Sequence, residues 1–306
     1  MSEFIKLFWG TVLLRPYVFA FLACYIVAAW AHIGIKRTLV YVPLGYALAW
    51  LSEFCSIHWG FPYGDYYYIH STVGRELWVF GVPFMDSLSY VFLSYCSYSL
   101  ALFLMSPISF QPRNLLVLET PRTRQSWQVL VVGAFLFVML DIIIDPVALL
   151  GDRWFLGKIY GYRHVGYYFG IPMSNFGGWL IVGMVLVGAL QTLDRLSALD
   201  STTSSLLSRV PFIRLLGPIL YFSVLLFNIF VTFRIGQNLL GSVDLVLLTC
   251  LMVFIFAMTS YKRSHTLPGQ AGTSIRTSRA SVSYTSDQGA LLDPAHASNG
   301  DVQKSG

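Results

Sequence analysis

Seven stretches of roughly 20 mostly apolar residues run through this chain, at about 17–35, 38–57, 79–104, 127–145, 171–190, 213–234 and 239–260, and a helix needs about that length to cross a bilayer. No water reaches the backbone of such a segment, so its peptide groups must bond within one helix or around a closed barrel. Barrel strands alternate in polarity over segments of about 10 residues, whereas these stretches are apolar on every face. Composition agrees: 56% of residues are hydrophobic and 11% charged, against the roughly 25% charged of a soluble domain. The expected fold is all-α, a polytopic membrane bundle of about seven transmembrane helices.

Three regions follow from that pattern. Residues 1–16 are too short and too charged to span and lack the small-residue cleavage pattern of a secretory signal, so an interfacial helix feeding the first span is expected. Residues 17–260 form the catalytic bundle. Residues 261–306 turn to Ser, Thr, Gly, Ala and Pro with scattered charge, which reads as a disordered polar tail. Cys24, Cys55, Cys96 and Cys250 all fall in apolar spans without metal-like spacing, so they are expected to be small core hydrophobes. The net charge of +5 comes from Lys and Arg dispersed over several loops. That suits anionic membrane lipids and argues against nucleic acid as a partner. The bundle end bearing Lys36, Arg37, Arg122, Arg124, Arg195, Arg209 and Lys262 carries the larger basic share, which places the C-terminus on the cytoplasmic side of the cell membrane.

Against this background four acids stand out. Glu53 closes the second span, Asp86 opens the third, and Asp141 and Asp145 end the fourth, so all four map to one end of the bundle. A carboxylate in hydrocarbon costs about 3 kcal/mol or more, and intramembrane acids mark functional sites or pairs that lock helices together. Convergence at one depth favours a site. Asp141 and Asp145 lie one helical turn apart, about 6 Å along the axis. Two charges that close in a low dielectric do not both persist, so a shared proton or a base such as Arg153 or Arg163 is expected beside them. Pro146 disfavours helical geometry at Asp145, which places that carboxyl at a helix end.

Loops supply the remaining candidates. In H-W-G-F-P-Y-G-D-Y-Y-Y, residues 58–68, Gly60 and Gly64 permit positive φ and Pro62 fixes its own, so a tight turn follows the second span. Trp59, Tyr63, Tyr66, Tyr67 and Tyr68 there serve either as an interfacial aromatic belt or as π faces for a cationic intermediate; Asp65 serves the turn itself or the site. Loops 58–78 and 146–170 must share a face, since two spans separate them. Residues 167–179, Y-Y-F-G-I-P-M-S-N-F-G-G-W, open the fifth span with Tyr168, with Asn175 to orient a water or a carboxylate, and with Gly177 and Gly178 for close helix approach. Asp244, in the last span, is a separate candidate. His58, His70 and His164 form no HxxHH or HxxxH box, so no metal is expected, and there is no GxSxG, Walker A or dinucleotide fingerprint.

Taken together, Glu53, Gly60-Phe61-Pro62-Tyr63-Gly64-Asp65-Tyr66, Gly81-Val82-Pro83, Asp145-Pro146, Tyr168-Phe169-Gly170-Ile171-Pro172 and Asn175-Phe176-Gly177-Gly178-Trp179 resemble the integral-membrane carotenoid biosynthesis family that includes carotenoid hydratases of the lycopene and bisanhydrobacterioruberin type. The resemblance extends over roughly residues 40–260; Asp86 and the polar tail depart from its pattern. It implies addition of water across a terminal isopropylidene double bond of an acyclic carotenoid held in the bilayer, without a cofactor, and association with other enzymes of that pathway. On this reading Asp141 or Asp145 is the acid, and Glu53 is the base or positions the water. The substrate meets Trp59, Tyr63, Asp65, Tyr66, Tyr68, Asp86, Tyr168 and Asn175. The alternatives are a proton-coupled transporter or lipid-binding scaffold using the same acids, and a polyene isomerase or cyclase.

Overall fold

A computed structural model describes residues 3–111, 114–196 and 210–265. Among them seven helices are long and apolar enough to cross a membrane. Ahead of these comes α1 (Glu3–Leu14), and the spans are α2 (Pro16–Ile33), α3 (Ile35–Trp59), α4 (Phe84–Met105), α6 (Trp127–Leu149), α7 (Met173–Arg195), α8 (Leu216–Arg234) and α9 (Asn238–His265), with the one-turn helix α5 (Pro121–Arg124) before α6. The described residues are therefore all-α apart from three two-stranded antiparallel ribbons in the connections. These are β1 (Tyr66–Tyr68) with β6 (Tyr160–Tyr162), β2 (Trp78–Val79) with β3 (Val82–Pro83), and β4 (Ile108–Gln111) with β5 (Asn114–Val117).

At the centre stands α4, which packs against α2, α3, α6, α7 and α8. Its sequence explains the position. Ser87, Ser94, Ser97 and Ser99 are buried yet small, and Ser94 and Ser97 donate back to the carbonyls of Tyr90 and Leu93 at 2.5 and 2.8 Å, so neighbours approach without orphaned hydroxyls. Gly217 of α8 shows how close: a Cβ there would lie 2.1 Å from Ser99 Oγ. Tyr41 of α3 bonds Ser94 of α4 at 2.7 Å and the Leu186 carbonyl of α7 at 3.3 Å, joining three spans through one phenol.

At the bundle end away from the acids, polar groups close the structure. His32 Nε2 meets Glu119 Oε2 at 2.9 Å, and Arg124 bonds both Glu119, at 3.0 Å, and Asp194, at 2.8 Å. Burial pushes the Glu119 carboxyl up, but the facing His32 ring and the Arg124 and Arg214 guanidinium groups outweigh it and hold the group at about 2.

At four points the structure departs from the expectations or adds to them. Pro146 does not end the fourth helix: α6 continues to Leu149, and Asp145 sits inside it, because a helix tolerates a proline near its last turn when the surrounding packing re-satisfies the freed backbone groups. The last helix runs past Tyr261 to His265, beyond the boundary drawn for the polar tail; residues 266–306 lie outside the described residues. Of the cysteines only Cys96 is buried, while Cys24 and Cys250 are on outward faces, where lipid accepts a thiol as readily as the interior does. Finally α1 does more than lead into a span. Its Thr11 accepts from Leu77 N at 2.8 Å, and Arg15, just after it, pairs in bidentate fashion with Glu76 at 3.1 and 3.2 Å.

Candidate active site

The turn after α3 forms as its glycines require. Gly60 caps the helix at φ 69° and Gly64 has φ 95°, and Ser56 pins the turn by accepting from Tyr63 N and donating to the Gly64 carbonyl, both at 3.1 Å. Gly178 of α7 supports it from below, since a Cβ there would lie 2.6 Å from the Pro62 carbonyl oxygen. The close approach expected of Gly178 is thus to a turn rather than to a helix. Gly177 faces open space and carries no packing role.

From this turn the chain enters β1, which pairs with β6 in the register Tyr66↔Tyr162 and Tyr68↔Tyr160. The pairing joins loops 58–78 and 146–170 on one face, as the span count requires. Alternate residues of a strand share a side. Tyr66, Tyr68, Tyr160 and Tyr162 therefore project together into the bundle, and Tyr67 turns out to the surface.

Below the paired strands lies a cavity of about 120 Å³ whose wall contains all four acids, together with Tyr63, Tyr90, Asn175 and Trp179. Tyr68 Oη donates to Asp86 Oδ2 at 2.7 Å, and Ser87 Oγ donates to Glu53 Oε2. On the α6 side Asn175 Nδ2 bridges the two aspartates, at 2.8 Å to Asp141 Oδ2 and 3.1 Å to Asp145 Oδ2. Tyr162 Oη donates to Asp145 Oδ2 at 2.6 Å, and Tyr160 Oη donates to Oδ1. Burial, then the Asp145 charge, pushes the Tyr160 and Tyr162 phenols well above their ordinary range. They stay neutral donors.

The two aspartates differ in their surroundings. Three donors converge on Asp145 and leave it as an acceptor. Asp141 receives one donor on Oδ2, and its Oδ1 is buried without a hydrogen-bond partner. A buried orphan oxygen is costly, and it is the position from which a protonated carboxyl would present its hydrogen to the cavity. Among the described residues no Lys or Arg lines the wall. The expected partnership of the aspartates with Arg153 or Arg163 is replaced by phenols and an amide.

Three expected contacts are absent from the wall. Trp59 is 72% exposed and rests on Phe54 and His58, because it lies six positions after buried Glu53 and, at about 100° per residue, is carried about 120° round α3 from it. Asp65 is exposed and its Oδ1 sits over Gly60, a turn-stabilising position. Tyr168 lies outside the cavity, with its phenol pushed up to about 12 by burial and the charge of Asp244. Asp244 is buried with neither carboxylate oxygen hydrogen-bonded, also outside the cavity. Conversely, Tyr160, Tyr162, Tyr90 and Ser87 were not singled out by the sequence. The Y-x-Y spacing of residues 160–162, matching that of 66–68, was the available signal.

Residues 12–253 match a family described as carotenoid biosynthesis protein. No curated protein and no solved structure matches the chain.

Proposed function

The chain belongs to the carotenoid biosynthesis protein family, and from that premise and the geometry of its cavity we propose that it is a hydratase acting on an acyclic carotenoid. The observation that carries the reading is Asp141, whose Oδ1 has no hydrogen-bond partner, in the wall of an aromatic-lined cavity shared with three other carboxyl groups. Asp141 donates its proton to the less substituted carbon of the terminal isopropylidene double bond. The π electrons form the new C–H bond, and the positive charge rests on the tertiary carbon.

Aromatic faces support that cation. Trp179 stacks on Tyr90 with ring centroids 4.8 Å apart, and Tyr66 meets Tyr68 edge-on at 5.3 Å. Water then adds to the cation while Glu53 takes one of its protons, leaving a tertiary alcohol. Asp145 and Asn175 hold Asp141 in position, and net addition of water leaves the oxidation state of the system unchanged. In this reading the protein works within the cell membrane with its C-terminus on the cytoplasmic side, alongside other enzymes of the same pathway.

Isotopes test the proposal. Product made in ¹⁸O-labelled water should carry the label, form without dioxygen, and in heavy water gain deuterium on the carbon next to the alcohol. Label arriving from dioxygen would overturn hydration. A product isomeric with the substrate would instead favour a cyclase or isomerase, which the same cation and aromatic wall would serve.

A further inference from the structure

The cavity has two unlike ends. Glu53, Asp141, Tyr63 and Tyr66 at one end are buried, whereas Tyr17 and Phe21 of α2, Phe227 of α8 and Trp154 at the other are only half-buried. These four rings touch. Tyr17 stacks on Phe227 with centroids 5.4 Å apart and planes at 20°, Phe21 meets Phe227 edge-on at 5.7 Å, and Tyr17 lies 6.1 Å from Trp154. Outside them α2 and α8 present Val27, Leu226 and Phe230 to the surroundings. Neither helix carries an Asp, Glu, Lys or Arg before Arg234 at the end of α8. A seam that apolar faces hydrocarbon.

On the loop side the closure is different in kind. The buried Arg15–Glu76 pair, with Arg15 also donating to the Leu156 carbonyl, ties α1, the 70–79 segment and the 150s segment together. Breaking a buried bidentate pair is far more costly than sliding one aromatic ring off another. The cavity is thus fastened against the loops by an ion pair, and toward lipid it is closed by stacked rings beside the buried Val18 and Val224.

We propose that Tyr17, Phe21 and Phe227 form a lateral gate between α2 and α8, through which one end of a linear isoprenoid moves from the bilayer to the carboxyl groups while the rest of the chain stays in lipid. The proposal rests on the functional reading above only in taking the ligand to be a lipid-dissolved polyene. It assigns length tolerance to the gate and end-group selection to the tyrosine-rich buried end.

The test replaces Phe21 and Phe227 by cysteine in a protein whose four native cysteines have been replaced, and joins the pair with a short reducible bis-thiol reagent, verified by intact mass. Uptake of lycopene from liposomes, read as pigment that co-purifies with the protein, should fall at least about tenfold on cross-linking and return on reduction. Uptake that ignores the cross-link overturns the gate. Cross-link-sensitive uptake with no water-added product, before or after reduction, supports the gate and removes the hydratase reading. Should the double variant fail to accumulate, Phe227→Leu serves instead: loss of the stacked ring should speed uptake about threefold, and an unchanged rate overturns the proposal.

Discussion

Tyr162 Oη lies 2.6 Å from Asp145 Oδ2, and the strand that carries Tyr162 is held in register by Tyr66 of the first loop. One carboxylate of the α6 pair is therefore oriented by a ribbon whose other strand belongs to the connection between α3 and α4. Positioning of the acids depends on both loops at once.

Removing that phenol should lower turnover without unfolding the protein. A hydrogen bond to a charged group contributes about 1.5–3 kcal/mol, so Tyr162→Phe should reduce kcat by about tenfold or more. Tyr67→Phe, in the same ribbon but facing outward, should behave as wild type. Equal effects of the two substitutions in a membrane assay would show that the ribbon acts only as a scaffold.

Asp141→Asn and Glu53→Gln should each cost about 10²- to 10⁴-fold in rate, the usual range for a general acid or base, with membrane accumulation near normal because the amides keep shape and polarity. Wild-type conversion by both variants would make these carboxyl groups structural.

Labelling of single cysteines checks the shared face. Asp65→Cys, Asp152→Cys and His164→Cys, all at exposed positions, should react with an impermeant reagent from one side of the membrane, and Arg122→Cys from the other. Reaction of positions 65 and 152 from opposite sides would be incompatible with the β1–β6 pairing.

The Glu119 cluster gives a pH signature. Its carboxyl is held at about 2, below the ordinary 4.5, so it adds stability that is complete above pH 4.5 and is lost as pH falls toward 2. Thermal unfolding in detergent should show Tm dropping through that window. Glu119→Gln should flatten the drop, and an unaltered profile would mean that other groups control acid stability.

Much of the site was legible because charge inside apolar sequence has few benign explanations. Glu53, Asp86, Asp141 and Asp145 could be placed at one end of the bundle by counting spans, and the structure sets them around one cavity. Side-chain direction was harder to read. Trp59 was grouped with the site by its nearness to the Gly60 turn, although helical rotation from Glu53 carries it to the outer face. Tyr160 and Tyr162 escaped notice for another reason: three residues of strand leave no periodic run to detect, and their partner strand lies more than ninety residues earlier. Pro146 misled because the local preference against helix at the preceding residue yields to packing on α4, α7 and α8.

That long separation between β1 and β6 has a bearing on biogenesis. Tyr66–Tyr68 leaves the ribosome before α4 and α6 exist, and the strand that completes the wall follows only after both. Until then the phenols of the first loop have no ribbon to join, and Asp145 enters the membrane without any of its three donors. A chain stalled after α6 should therefore expose unshielded acid to the insertion machinery, and the nascent protein would owe its first stable cover to the short stretch from Tyr160 to Asn175, where β6 and the first turn of α7 supply the donors.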